Sequence, residues 1–412
     1  MTSTRFDIPP AGVVHTALRR TTETLARELA EPTATAPDWS EFEWLIARAT
    51  AAMHGVSSLL SGALRWQGPP GWASFLQNQR QHTLGRHARL LELLQRIDLH
   101  ARRDGIALVA LKGVELHALG LYAPGERPMG DIDLLVRAED GPRAARLLVS
   151  MGFSESMPTW KHRVFLPEHP SQPAALGEHV DNYLKVELHE RVREALPLLP
   201  QEVTQWVFPP RPEAGLNRYP SKASLMTHLL LHAAGAMASR SLRLLHLHDL
   251  AVLSERMAPQ DWKELCAQSA RDGGHWWAAP PLWLTARYYG NAIPGRVLDE
   301  LGAACPRLLM RFARRRALSD VSFSHLWISA FPGIEWSQSA ADLARYVMSR
   351  MRPSPEMLGL RRELVRTHLG SGASQWNRLS QARRLLRWLT SRPARSETMH
   401  PVLMALAQAR QI

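Results

Sequence analysis

The chain has 412 residues, 45% hydrophobic and 21% charged, with a formal net charge of +12. That length exceeds what one hydrophobic core usually organises, so two or three domains are expected. No apolar run approaches the ~20 residues that span a bilayer, which excludes a transmembrane segment at this level of reading. Cys266 and Cys305, the two cysteines, support no zinc or redox spacing and read as ordinary thiols. The positive charge points to an anionic partner. A high-GC genome raises Arg content too, and a specific nucleic-acid partner is not expected. The opening MTSTRFDIPPAGVV has no apolar leader core and predicts a cytoplasmic protein.

Residues 1 to about 38 contain Pro and Thr without clear periodicity and read as a loose arm. From DWSEFEWLIARATAAMHG to LHARRDGI the pattern is helical, with Leu90, Leu93, Leu94 and Ile97 on one stripe and Gly105 as the stop. IALVAL (106–111) is then a short apolar run of the kind that forms a central strand. GVELHALGLY looks helical, and DIDLLV is the next strand. GPRAARLLVSMGF is a helix opened by Pro142 and closed by Gly152. HRVFL and YLKVELH are further strands.

Beyond the breakers LPLLPQEV and FPPRPEAG the chain turns helical again. SKASLMTHLLLHAAGAMA and RSLRLLHLHDLAVLSERM form a hairpin broken near Ser239. Helices follow in DWKELCAQSA, HWWAAPPLWLTARYYG and LARYVMSRM, with Trp276, Trp277 and Trp283 as core anchors. Near the C-terminus, WNRLSQARRLLRWL places Trp376, Leu379, Ala382, Leu386 and Leu389 on one packed face. Arg378, Arg383, Arg384 and Arg387 lie largely elsewhere. The expected organisation is an arm and helical region (1–104), an α/β core (105–200), a helical domain (201–350) and a basic helical segment (351–412).

The chemistry concentrates in the core. Strand side chains alternate, so Asp131 and Asp133 share a face with Cα atoms roughly 6.5 Å apart. Two such carboxylates can jointly hold hard cations, an arrangement used for displacement at phosphorus. A third acid is expected from a neighbouring strand. In YLKVELH, Leu184, Val186 and Leu188 would line the core while Tyr183, Lys185, Glu187 and His189 face the other way. Glu187 flanked by Lys185 and His189 suits a polyphosphate-metal site. At LKG, Gly113 would let phosphate oxygens approach the backbone, with Lys112 adding positive charge. His228 and His232, four apart on an apolar helix, read as core or supporting residues. HLHD (246–249) lacks the remainder of a hydrolase metal motif, although Asp249 and His232 have the reach to approach the site across the hairpin.

LKG, then GERPMGDIDLLV, a helix ending in GF, and KVELH resemble the bacterial nucleotidyltransferase-like family of the polymerase-beta-type nucleotidyltransferase superfamily. The resemblance spans roughly residues 45 to 355 and is most specific from Leu111 to Val136. It implies an α+β fold: a small mixed-sheet nucleotidyltransferase core flanked by N- and C-terminal helical regions. It also implies catalytic, metal-binding carboxylates at Asp131, Asp133 and Glu187. Nucleotide contacts would come from Lys112, Gly113, Arg127, Lys185 and His189. Val114 stands where superfamily members often carry Ser or Gly, and Glu187 where Asp is common. The implied cofactor is Mg²⁺ or Mn²⁺. The substrate is a nucleoside triphosphate, and the acceptor a peptide, a small molecule or a biosynthetic partner enzyme. Two other readings use the same residues: a D-x-D glycosyltransferase taking a nucleotide-sugar, and a non-catalytic nucleotidyltransferase-like binding protein.

Overall fold

A computed structural model of the chain describes residues 9–156, 159–171, 173, 175–353 and 379–409. The first element corrects the expectation of a loose arm, because α1 (Ala11–Ala30) is a 20-residue helix. Val14, Leu18, Leu25 and Leu29 keep helical spacing, but Thr21 and Thr22 interrupt the stripe. Both threonines are buried, and both hydroxyls have partners. Thr21 donates to the Ala17 carbonyl at 2.8 Å and Thr22 to Ser324 Oγ at 2.6 Å. A satisfied hydroxyl can lie in a core face at little cost, so these polar residues do not break the helix.

The helical lead-in continues through α2 (Glu41–Met53), α3 (Ser57–Ala63) and α4 (Pro70–Arg103). A Ser40–Glu43 capping box opens α2. Past the end of α4, Gly105 takes φ +64°, a left-handed conformation that glycine adopts without penalty.

The mixed unit then follows as β1 (Ala107–Ala110), α5 (Gly113–Ala118), β2 (Asp131–Val136), α6 (Gly141–Ser150), β3 (Phe153–Glu155), β4 (Arg163–Pro167) and β5 (Lys185–His189). A small hairpin, β6 (Arg193–Ala195) with β7 (Pro200–Glu202), leads through α7 (Thr204–Val207) to β8 (Gly215–Asn217). Six strands form one sheet in the order β3-β4-β5-β2-β1-β8. The pairs β2–β5 and β1–β8 are parallel and the rest antiparallel, which makes the fold α+β with a mixed sheet, as expected. Strand β8 follows the Pro-rich span read as a breaker. It is too short to carry an alternation signal and exists because β1 offers it a free edge.

Each face of the sheet has its own core. Ile132, Leu134, Val136, Leu184, Val186 and Leu188 pack with Leu90, Leu93, Leu94 and Ile97 of α4 and with Leu147 and Leu148 of α6. The other face contributes Val109, Leu111 and Leu135 to a larger core shared with the helices that follow. These are α8 (Lys222–Ala238), α9 (Leu244–Glu255), α10 (Pro259–Arg271) and α11 (Ala279–Tyr288). Helix α8 ends at Ser239, where the hairpin break was expected. Trp276 and Trp277 are buried in this core and Trp283 packs against it. Cys266 and Cys305 are buried free thiols.

The basic segment contains a helix at Gln381–Thr390, while Trp376 and Arg378 lie outside the described residues. The expected apolar face is corrected at Leu386, which is 60% exposed, whereas Arg384 is buried. Specific contacts set the orientation. Gln381 Nε2 donates to the Arg350 carbonyl at 2.7 Å, and the Arg350 guanidinium lies 5.7 Å from the Trp388 ring centroid. Gln381, Arg384 and Trp388 thus form the inward stripe. No helix among the described residues is long and apolar enough to cross a membrane.

Candidate functional site

Strand register assembles the site. Asp131 lies opposite Lys185, Asp133 opposite Glu187 and Leu135 opposite His189. Directly paired residues put their side chains on the same face, so two aspartates, one glutamate, one lysine and one histidine converge. Leu135 on this face joins the helical core. The acids therefore sit where the sheet meets the helices, at the strand ends nearest the β1–α5 turn. The Leu111 N–H donates to the Asp133 carbonyl at 2.9 Å and ties that turn to β2.

Every carboxylate in the group has a cationic neighbour. Lys112 Nζ lies 3.1 Å from Asp133 Oδ2, and His189 Nε2 lies 3.0 Å from Asp133 Oδ1. Lys185 Nζ lies 3.2 Å from Asp131 Oδ2 and also contacts Glu187 Oε1, bridging two carboxylates. Asp133 and Glu187 are 6% and 8% exposed, so their charges are costly without such partners.

Their environments push the two acids in opposite directions. Burial works against the Asp133 charge, but Lys112 and His189 outweigh it and hold that carboxyl well below the usual carboxylate range. Burial raises Glu187, the charges of Asp133 and Asp131 raise it further, and Lys185 opposes them only in part. A depressed acid beside an elevated one is the pattern of a charge-holding group next to a proton-accepting group. Burial lowers the Lys112 and Lys185 ammonium groups, yet the surrounding acids more than reverse this and both end raised.

The turn at Lys112 is conformationally unusual. Lys112 has φ +50° and ψ −112°, outside the regions that residues with a Cβ favour. Its backbone N–H donates to Tyr219 Oη at 3.2 Å, and that hydroxyl contacts His228 Nδ1 at 2.7 Å. Gly113 follows, and a Cβ there would collide with Arg127 Nη1. Arg127 is held by Asp249. Its Nε and Nη2 donate to Asp249 Oδ1 and Oδ2 at 2.8 and 2.7 Å, and Tyr122 also donates to Oδ1 at 2.8 Å. Asp249 thus reaches the RPMGDID segment through Arg127.

His232 is directed elsewhere, with Nδ1 3.5 Å from Glu194 Oε1 and its ring 4.9 Å from His246. Among the described residues, the one group with metal-ligand geometry is His162, Glu187 and His189. His228 and His232 belong to no such group among the described residues. Sequence inspection missed His162. It immediately precedes β4, where Arg163 pairs with Leu188, and register then carries it towards His189. The letters KHRVFL contain no sign of that pairing. Burial pushes the His162 imidazole down to about 3, with neighbouring His189 adding to the effect.

A family model described as "Uncharacterised nucleotidyltransferase" matches residues 40–290, more than half of the chain, and the chain belongs to that family. The match runs from the cap of α2 to just beyond α11, short of the residue 355 expected from the resemblance. No curated protein and no solved structure matches the chain.

Proposed function

We propose that the protein is a metal-dependent nucleotidyltransferase that moves a nucleotidyl group from a nucleoside triphosphate to an acceptor oxygen. The observation carrying this reading is the bridge of Lys185 Nζ between Asp131 and Glu187, beside the Lys112–Asp133 pair. An ammonium group there stands in for a cation among oxygen donors, so the donor set fits Mg²⁺ or Mn²⁺. Asp131, Asp133 and Glu187 would hold the metal. When bound, it would neutralise triphosphate charge and lower the acceptor's proton affinity.

The chain's own residues account for the remaining work. Lys112 and Lys185 pair with phosphate oxygens once the triphosphate competes for their ammonium groups. His189 donates to Asp133 and keeps that carboxylate oriented. Arg127, locked by Asp249, covers Gly113 and fixes the turn that carries Lys112. Glu187 takes the acceptor's proton as that oxygen bonds to the α-phosphorus. The α–β phosphoanhydride bond breaks and pyrophosphate leaves. The acceptor in this reading is a hydroxyl on a peptide or a small molecule.

Calorimetry with Mg²⁺ and a non-hydrolysable triphosphate tests the reading. Asp131→Asn combined with Asp133→Asn should abolish divalent-dependent binding. Unchanged affinity in the double variant would refute the proposal. Stabilisation by nucleotide-sugars alone would instead favour a glycosyltransferase.

A further inference from the structure

We propose that His162, Glu187 and His189 form a binding site for a divalent transition metal of the zinc class, distinct in its donors from the all-carboxylate set above. The ligand atoms of the three residues all lie within 4.8 Å of one another. His162 Nε2 is 3.4 Å and His189 Nε2 3.9 Å from the same oxygen, Glu187 Oε2. The two imidazole rings meet edge-to-face with centroids 4.8 Å apart. This places two nitrogen donors around one carboxylate oxygen.

The hydrogen bonding of His162 supplies a second, independent observation. Its Nδ1 is buried with no hydrogen-bond partner, and its Nε2 approaches Glu187 at a distance too long for a good hydrogen bond. The ring is only partly exposed, its side chain at 16%, and two poorly partnered nitrogens there carry a desolvation cost that hydrogen bonding does not offset. Coordination at Nε2, the nitrogen facing Glu187, would replace that long contact with a strong one. His189, by contrast, already serves Asp133, so metal binding would exchange one partner for another there.

Donor chemistry selects the ion. Two imidazoles and one carboxylate with a remaining open position are a donor set of catalytic zinc sites. Imidazole nitrogen suits Zn²⁺ and its neighbours, whereas Mg²⁺ prefers oxygen and keeps its water. The site shares Glu187 with the proposed carboxylate set but does not require Asp131.

The test uses the full chain, stripped of metal by a chelator and titrated with Co²⁺ alone, without nucleotide. Visible absorption should show the strong bands of four- or five-coordinate, nitrogen-ligated Co²⁺, and Zn²⁺ should displace it. His162→Gln should weaken Co²⁺ binding at least about a hundredfold, more than loss of an outer partner typically costs. Asp131→Asn should weaken it far less than His162→Gln. His162 has no side-chain hydrogen bond to lose, and circular dichroism establishes that the variant is folded; the wild-type spectrum provides a test that needs no variant. Weak bands of six-coordinate, oxygen-ligated Co²⁺ would overturn the proposal. So would binding lost in Asp131→Asn and kept in His162→Gln, a result that leaves the carboxylate reading standing. Failure of that reading is seen separately, in the Mg²⁺-triphosphate calorimetry.

Discussion

Arg127 and Asp249 are 122 positions apart and form a buried two-point ion pair, with N–O distances of 2.8 and 2.7 Å. Their side chains are 9% and 3% exposed. The pair joins the segment leading into β2 to α9, coupling the acid-bearing sheet to the helices that cover it. Removing one partner leaves the other charge buried without compensation. Asp249→Asn should therefore cost about 3–5 kcal/mol, measured as a lowered urea midpoint with an unchanged slope. Replacing both residues with apolar side chains of similar volume should cost clearly less than the single change. Equal losses would show that the charge pairing is not what holds this contact.

Gly113 provides a second measurement of the same contact. Gly113→Ala would drive its new methyl into the Arg127 guanidinium, with an expected loss of about 1–3 kcal/mol. Because both changes act on Arg127, Gly113→Ala and Asp249→Asn should be non-additive in a double-mutant cycle by about 0.5 kcal/mol or more. Strict additivity would place Gly113 outside this contact.

Strain at Lys112 separates from charge by comparing two replacements. Lys112→Ala and Lys112→Gly both remove the ammonium group beside Asp133, but only glycine relieves the positive φ. The glycine variant should be more stable than the alanine variant by about 1 kcal/mol or more. Both should lose triphosphate affinity if Lys112 pairs with phosphate. Matching denaturation curves for the two variants would show that the turn is unstrained.

His54 gives the protein a pH-dependent stability away from the acid site. Its Nδ1 accepts the Leu244 N–H at 2.8 Å where α9 begins, so Nε2 carries the proton towards Ser324 Oγ at 2.9 Å. Full burial, helped by the positive charge of Arg243, pushes the imidazole down to about 3. The unfolded chain takes up this proton below about 6.5 while the folded one does not. The contribution is thus fully present above pH 6.5 and declines as pH falls towards 3, by about 1.4 kcal/mol per unit. His54→Asn keeps an acceptor for Leu244 without the titration. Its stability should fall less steeply than wild type from pH 6.5 to 4.5 in chemical denaturation. Parallel slopes would assign the acid sensitivity to other groups.

Much of the site was legible because side-chain alternation is a local property. DIDLLV and KVELH place their acids on one face and Ile132, Leu134, Val136, Val186 and Leu188 on the other, as the register and core packing show. The α4 stripe and the break at Ser239 were legible for the same reason, since helical spacing and termination depend on nearby residues. Helix α1 escaped notice because its threonines are satisfied partly by Ser324, 302 positions away from Thr22.

By itself, then, the sequence determined the α+β pattern, the shared face of Asp131 and Asp133, and the orientation of Glu187 on its own strand. Only the tertiary structure decided that β2 and β5 run side by side, that His162 arrives beside Glu187, and that Arg127 pairs with Asp249. Backbone geometry dictates alternation residue by residue. The partner of a buried charge depends instead on which distant segments the packed cores bring within hydrogen-bonding reach.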